Sequence, residues 1–152
     1  MLDQIERDLK TALLAGDKDK VETLKTLKSA IQYEAGNKSI KPDAFSDEQL
    51  QVIAARESKK RQEAADLYKN AGEQERSARE LSEKAIIDAY LPSQMSEEEL
   101  QEIIKEELSK TESLSASDMG RIIGAVKARV GAAADGSVIA RLVKQSLEQS
   151  SK

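Results

Sequence analysis

The stretch AYLPSQMSEEEL, residues 89–100, decides the fold because it ends one helix and begins another. Pro92 has no amide hydrogen and biases the residue before it away from helical geometry, so a helix that arrives from the N-terminal side stops here. A few residues later, Ser96 and Glu99 have the spacing of a capping box, which begins a new helix. The predicted domains on either side of this boundary are residues 1–92 and residues 93–152.

Apolar residues in the first part of the chain recur at steps of three and four, which is the spacing of an amphipathic helix. Two such stripes predict a helical hairpin: Leu2, Ile5, Leu9 and Leu13, and then Val21, Leu24, Leu27 and Ile31. Gly16 separates the two helices, and Asp17 is placed to cap the second one. We expect Gly36 and Asn37 to end that second helix in a left-handed turn.

Residues 46–91 predict a second hairpin, which is longer and more polar. Ser46 and Gln49 have capping-box spacing and begin a helix that runs to about Ala71. A fourth helix follows and ends before Pro92. We expect the buried stripe of this fourth helix to consist of Ala78, Leu81, Ala85, Ile86 and Ala89.

Three shorter amphipathic patterns follow the boundary, over about 96–110, 116–130 and 136–149. Three helices of this kind can enclose a small core. No stretch alternates apolar and polar residues as a half-buried strand does. The predicted fold class is therefore all-α: an N-terminal helical domain with a long helical hairpin, followed by a small three-helix domain.

The composition excludes most catalytic chemistry and a membrane-spanning segment. The chain has 152 residues and contains neither His nor Cys, so it has no imidazole base, no thiol nucleophile and few ligands for zinc, haem or iron–sulfur groups. No apolar run approaches the roughly 20 residues that span a bilayer, and the acidic start MLDQIERDL does not have the pattern of a secretory signal. We predict a cytoplasmic protein with no catalytic residue, no cofactor, no metal site and no membrane partner.

The net charge of −4 is distributed unevenly along the chain. Residues 97–112 hold seven acids and two bases, whereas residues 113–152 hold three acids and six bases. Binding to a phosphate backbone requires clustered cations. The predicted nucleic-acid-binding residues are Arg121, Lys127, Arg129, Arg141 and Lys144. The alternative interpretation is that they are ordinary solvated charges.

A second basic run lies in the third predicted helix and consists of Arg56, Lys59, Lys60 and Arg61. Helical spacing places these side chains on one broad side of the helix, where RNA or a partner protein could dock. Glu57 and Glu63 lie three or four residues from most of these cations, so the favoured interpretation is a surface that neutralises itself.

Four residues of the C-terminal domain are predicted to have structural roles. Gly120 and Gly124 lie about one helical turn apart, and the absence of side chains there would let another backbone pack closely. We therefore expect Gly124→Leu to destabilise this domain. Asp135 is placed to cap the last helix, and Gly136 to form the turn before it.

Several strings, in this order along the chain, resemble the landmarks of the GatB/YqeY family. They are Thr26–Ile31 (TLKSAI), Ala89–Leu100 (AYLPSQMSEEEL), Asp118–Lys127 (DMGRIIGAVK), Ala134–Val138 (ADGSV) and Leu142–Lys144 (LVK). The resemblance covers essentially the whole chain. It implies an all-helical protein whose three-helix tail is similar to the tail of GatB, the tRNA-binding subunit of the glutamine-dependent amidotransferase.

The resemblance implies a function in binding rather than in catalysis. In that family's complex, a mischarged Glu-tRNA or Asp-tRNA is amidated, the tail helps to hold the tRNA, and the catalytic parts lie elsewhere. The family label is carbon–nitrogen ligase activity with glutamine as amide donor. We therefore expect a non-catalytic accessory protein whose tail binds tRNA or an RNA–protein complex of the aminoacyl-tRNA machinery. The alternative is a protein-interaction adaptor that docks through the hairpin of residues 46–91 and binds no RNA.

Overall fold

The computed structural model describes residues 1–112 and 114–150, which form seven α-helices and no strand. The helices are α1 (Leu2–Ala15), α2 (Lys18–Asn37), α3 (Asp47–Asn70), α4 (Gln74–Asp88), α5 (Glu97–Ser109), α6 (Met119–Val130) and α7 (Gly136–Ser150). The predicted all-α fold class is thus confirmed. The chain divides into two compact units, here called the N-terminal unit (Met1–Leu91) and the C-terminal unit (Pro92–Lys152).

Short-range signals set most helix ends in the N-terminal unit. Gly16 ends α1 with a left-handed φ of 71°. The Asp17 side chain caps α2 by accepting a hydrogen bond from the backbone N–H of Lys20 (3.2 Å). Ser46 and Gln49 form both hydrogen bonds of a capping box at the start of α3. These three predictions are confirmed.

The end of α2 differs from the prediction. The helix continues through Gly36 to Asn37, and the left-handed residue is Ser39, with a φ of 53°. The backbone N–H of Ile40 bonds to the carbonyl of Ala35 (3.0 Å), and that of Ser39 bonds to the carbonyl of Gly36 (3.1 Å). This is the pattern of a Schellman turn, in which the left-handed residue follows the C-cap, here Lys38. A short 3₁₀ turn, Pro42–Ala44, then leads to α3.

The core of the N-terminal unit lies where α1 and α2 meet the first half of α3 and the second half of α4. Its buried residues are Ile5, Leu24, Leu27, Ile31, Ala35, Phe45, Leu50, Ile53, Ala54 and Ile87. The remaining halves of α3 and α4 pack mainly on each other. There the buried residues are small or polar, and they include Ser58, Arg61, Ala65 and Ser77.

The predicted buried stripe of α4 is wrong for four of its five residues, and only Ile86 packs against the core. Leu81 is 43% exposed, and Ala78, Ala85 and Ala89 are exposed as well. The buried residues of α4 are Ser77 and Ile87. The Ser77 hydroxyl donates to the backbone carbonyl of Ala65 on α3 (2.8 Å), and this bond turns a polar face of α4 toward its neighbour.

The C-terminal unit has its own core, formed by α5, α6 and α7. Its buried residues are Leu100, Ile104, Leu108, Ile122, Val126, Val130, Ile139, Leu142 and Val143. Ser96 and Glu99 form both bonds of the predicted capping box at the start of α5. The segment before it is tied to this unit, because the N–H of Met95 bonds to the carbonyl of Ala133 (2.8 Å) and the Gln94 amide bonds to the carbonyl of Ala132 (3.0 Å).

Candidate nucleic-acid interface

The five cations predicted to bind nucleic acid are all exposed. They lie on two helices of the C-terminal unit: Arg121, Lys127 and Arg129 on α6, and Arg141 and Lys144 on α7. Their surroundings differ, however. Within the described part of the chain, the three arginines are bonded to acidic side chains and the two lysines are not.

Arg129 joins α6 to the acidic helix α5. Its guanidinium donates to Glu106 (2.7 Å) and to Glu107 (3.2 Å). Both bonds favour the charged form, so the pKa of Arg129 is raised, chiefly by Glu106. Glu107 is buried and also accepts from Lys110 (3.0 Å), and these cations lower the pKa of its carboxyl group, Lys110 first. Arg129 therefore stabilises the packing of two helices.

Arg141 and Arg121 are also paired. Arg141 on α7 donates to Glu97 in the first turn of α5, so this pair links another two helices. Arg121 donates to Asp118 (3.2 Å) and to the Thr111 hydroxyl (2.8 Å). The pKa of Asp118 is lowered, first by the backbone N–H of Ser115 and then by Arg121. Much of the charge in this unit is thus matched between its own helices.

Lys127 and Lys144 make no ion pair with any residue between 1 and 112 or between 114 and 150. The end of the Lys127 side chain lies across the start of α7. Its Cε and Nζ atoms are 3.0 and 3.1 Å from the point that a Cβ at Gly136 would occupy. Gly136 is the first residue of α7 and leaves the room in which the Lys127 side chain lies.

Gly120 and Gly124 lie on the exposed side of α6. A Cβ added at either position would have no neighbouring atom within 4 Å. The predicted close packing of another backbone against these glycines is therefore wrong for the described residues. By helical spacing, Ala128 continues the same stripe, and Arg121 and Lys127 lie on either side of it. We call this surface the open face of α6; it consists of Gly120, Gly124 and Ala128 with the flanking Arg121 and Lys127. The spacing of the small residues was visible in the sequence, but their exposure was not.

Comparison with models of protein families shows which family the chain belongs to. A family model described as Yqey-like protein matches residues 2–147. The chain belongs to the YqeY-like family. No curated protein matches it.

In the loop before α7 of this YqeY-like chain, Asp135 directly precedes the helix, whereas Gly136, predicted to form the turn, is instead the first residue of α7. The carboxylate of Asp135 accepts from the backbone N–H of Ser137 (2.8 Å) and from the Ser137 hydroxyl (2.9 Å). Gly131 ends α6 with a φ of 55° and a ψ of −130°, a conformation that glycine adopts more readily than other residues. Together these residues set the turn between α6 and α7.

The second basic run of the YqeY-like chain does not form one free surface. Arg61 is only 8% exposed, so the prediction that it lies on a docking side of α3 is wrong. It pairs with Glu57 (3.3 Å) on its own helix and approaches Glu83 of α4 (3.5 Å). Arg61 points toward α4 because the inner side of this hairpin is polar.

The other members of that run are exposed. Arg56 pairs with Glu34 of α2 (3.0 Å), and Lys60 pairs with Glu57 (2.9 Å). Lys59 is exposed on the same helix. The pair of Lys60 and Glu57 lies within α3, as the self-neutralised arrangement predicts. The acid that pairs with Arg56, Glu34, lies on another helix, α2.

The described part of the YqeY-like chain offers neither a metal cluster nor a membrane-spanning helix. Within it, no group of three or more acidic side chains is placed to hold a metal ion. No helix there combines the length and the apolar character that crossing a bilayer requires.

Proposed function

We propose that this YqeY-like chain binds RNA through the open face of α6, with Lys144 of α7 as a further phosphate contact. The first candidate ligand is tRNA, because the resemblance to the GatB/YqeY family relates the C-terminal helices to a tail that holds tRNA. The proposed role is that of an accessory protein to a tRNA-dependent amidotransferase. It would hold RNA while a separate enzyme carries out the chemistry.

The observation that carries this proposal is the pair of exposed glycines. A glycine in the interior of a helix lowers the stability of the protein by roughly 0.5–1 kcal/mol relative to an alanine. Gly120 and Gly124 have open space where a Cβ would lie, so no contact within the described residues explains the absence of side chains. A bulky, rigid ligand can lie close to such a smooth surface.

The flanking charges fit a phosphate backbone. Lys127 is an exposed residue and has no acidic partner in the described residues. Arg121 uses one nitrogen, Nη2, for its bonds to Thr111 and Asp118, and a guanidinium has five N–H donors in all. Phosphate contacts need positive charge and donors but no base-specific geometry. Arg129 and Arg141 take no part in the proposal because their ion pairs join two helices, whereas the acidic partner of Arg121, Asp118, lies only three residues before it.

Titration of fluorescently labelled tRNA at several salt concentrations tests the proposal. Binding should weaken linearly in a plot of log K against log salt. In Lys127→Glu/Lys144→Glu the slope should be shallower by about one unit for each phosphate that the variant no longer neutralises. The matched control is Lys38→Glu/Lys41→Glu, which makes the same change in net charge at exposed lysines of the N-terminal unit. Absence of binding at low salt, or equal weakening in both double variants, would contradict the proposal.

Two single variants distinguish binding at the open face from a nonspecific effect of the positive charge of this unit. Gly124→Leu should weaken tRNA binding, because the new side chain stands where the ligand would lie. Arg129→Gln should leave the salt slope unchanged, because its charge is already matched by Glu106 and Glu107. The opposite result, weaker binding with Arg129→Gln and unchanged binding with Gly124→Leu, would show that the open face is not the binding surface.

A protein-interaction adaptor is the second candidate function. It is favoured by two exposed apolar side chains on the hairpin of α3 and α4: Leu67 is 71% exposed and Leu81 is 43% exposed. Affinity capture from nuclease-treated lysate, with Leu67→Asp/Leu81→Asp as the comparison, tests this role. A protein that is retained by the native chain and released by this variant supports the adaptor; disappearance of every partner after nuclease treatment argues against it.

A further inference from the structure

A shallow groove lies between the end of α1 and the start of α2, in the N-terminal unit. Its volume is about 250 Å³. Ala12 and Val21, both buried, form its floor, and Leu13 forms an apolar wall. Lys18 and Lys25 stand at its rim. We call this surface the α1–α2 groove. It is large enough for one or two apolar side chains.

The rim of the groove is positively charged. Lys18 and Lys25 make no ion pair with any described residue, and neither does Lys10, which lies one turn before Leu13 on α1. One acid, Glu22, also lines the groove, so the lining carries two lysines against one glutamate. The carboxylate of Glu22 pairs with Arg79 of α4 (3.4 Å), which leaves Lys18 and Lys25 without an acidic partner.

Apolar surface beside these lysines is exposed to water. Leu13 is 55% exposed and Leu14 is 82% exposed, at the end of the helix that forms one side of the groove. Exposed leucines that adjoin an apolar floor form a patch rather than isolated positions, and such patches mark interaction sites.

We propose that the α1–α2 groove binds an acidic amphipathic segment of a partner protein, which places an apolar side chain against Leu13 and Val21 and carboxylates against Lys18 and Lys25. Charge complementarity selects an acidic partner, and the apolar floor selects one that also carries aliphatic side chains. The mode is that of an amphipathic helix laid into a groove.

The groove fits this partner better than it fits RNA or a lipid surface. It has no aromatic side chain on which a base could stack, and phosphates alone would leave Leu13 and the floor in contact with water. A flat bilayer would cover Leu14 but would leave the groove unfilled.

Fluorescence anisotropy with the full-length protein tests the proposal. The probe is a fluorescein-labelled synthetic peptide with the sequence of residues 97–110, EEELQEIIKEELSK, which is acidic and amphipathic. A second peptide with Gln in place of every Glu removes the carboxylates and keeps the apolar side chains and both lysines. We expect the acidic peptide to bind, and the Gln-substituted peptide to bind at least about tenfold more weakly, because the lysines of the groove lose their acidic partners.

Protein variants locate the binding surface. Lys18→Glu/Lys25→Glu and Leu13→Asp should each weaken binding of the acidic peptide by about tenfold or more. Lys38→Glu/Lys41→Glu, the control with the same charge change elsewhere, should keep it within about twofold. All these positions are exposed, and far-ultraviolet circular dichroism checks that each variant is folded.

Several outcomes would overturn the proposal. One is no binding of the acidic peptide at low salt, and another is equal weakening in the groove variants and in the control. A third is that single-stranded RNA or phosphatidylserine vesicles bind through Lys18 and Lys25 while the peptide does not. The tRNA proposal concerns residues of the C-terminal unit, so failure of either proposal leaves the other standing.

Discussion

At the scale of single residues, Lys127 and Arg129 lie two positions apart on α6 but have different roles. Arg129 is held between Glu106 and Glu107, so its charge is part of the packing of α5 on α6. Lys127 ends beside Gly136 and has no acidic partner in residues 1–112 or 114–150. Its charge is therefore available to a ligand.

A single hydrogen bond links the two ends of the N-terminal unit. The hydroxyl of Tyr90 donates to the carboxylate of Asp8 on α1 (2.5 Å). This bond is the largest cause of the lowered pKa of Asp8. The pKa of Tyr90 is raised, first by burial of the phenol and then by the bond to Asp8.

Tyr90→Phe is expected to lower the free energy of unfolding by about 1 kcal/mol at pH 7, because the bond is removed and the Asp8 carboxylate stays partly exposed to water. Urea denaturation measures the change. Tyr33→Phe serves as the control, because Tyr33 is 70% exposed, and it should have little effect. Equal effects of the two substitutions would show that the hydrogen bond adds nothing to stability.

Comparison of the native chain with Tyr90→Phe also gives a prediction for the dependence of stability on pH. The pKa of Asp8 is lower in the folded state than in the unfolded chain, where it is about 3.9, so the contribution of this bond is present above that pH. It disappears as the pH falls through the folded-state pKa and Asp8 takes up a proton. The stability difference between the native chain and Tyr90→Phe should therefore shrink when denaturation is repeated at successively lower pH below about 4. A difference that stays constant down to about pH 2 would contradict this account.

At the scale of elements, α6 contains two kinds of glycine. Gly124 has ordinary helical geometry and open space around it, so a side chain meets no obstacle. Gly131 ends the helix with a φ of 55°, where a side chain is strained. The first glycine weakens the helix and the second one makes its end possible.

Gly124→Ala and Gly131→Ala are expected to have opposite effects on thermal unfolding. The first should stabilise the C-terminal unit by roughly 0.5–1 kcal/mol, because alanine is the better helix former and fits without contact. The second should destabilise it by roughly 1–3 kcal/mol through backbone strain. Calorimetry of the two variants measures both signs. A lower melting temperature for Gly124→Ala would show that a close packing partner exists after all, as the spacing of the glycines had suggested.

Features that depend on neighbouring residues in the chain could be predicted from the sequence. The capping boxes at Ser46 and Ser96 and the left-handed end at Gly16 are each set by residues within a single turn, and all are confirmed. Features that depend on distant partners could not be predicted in this way. The Arg61 side chain is buried beside Glu83, which lies on another helix.

The candidate site shows the same division between local and distant effects. The sequence identified five cations, and all five are exposed. It could not show which of them are paired, because Glu97 and Glu106, the partners of Arg141 and Arg129, are far away along the chain. The periodicity of α4 failed for a related reason. Alanine is apolar enough to form a stripe but too small to determine which side of the helix is buried.

At the scale of the whole molecule, the chain has two separate cores. The core around Leu27 consists entirely of residues before Pro92, and the core around Ile104 consists entirely of residues after it. Pro92 interrupts the helical pattern between them, and Gln94 and Met95 are already bonded to the C-terminal unit. The predicted domain boundary can therefore be tested by destabilising one core at a time.

Hydrogen–deuterium exchange of Leu27→Ala and Ile104→Ala makes this test. Both side chains are fully buried, and truncation of such a residue to alanine lowers stability by roughly 2–5 kcal/mol. Because each residue belongs to only one core, Leu27→Ala should reduce protection mainly within residues 1–91, and Ile104→Ala mainly within residues 92–150. Exchange distinguishes this result from a single cooperative unit, in which either substitution would lower protection throughout the chain. A uniform decrease would place both cores in one folding unit and would contradict a domain boundary at Pro92.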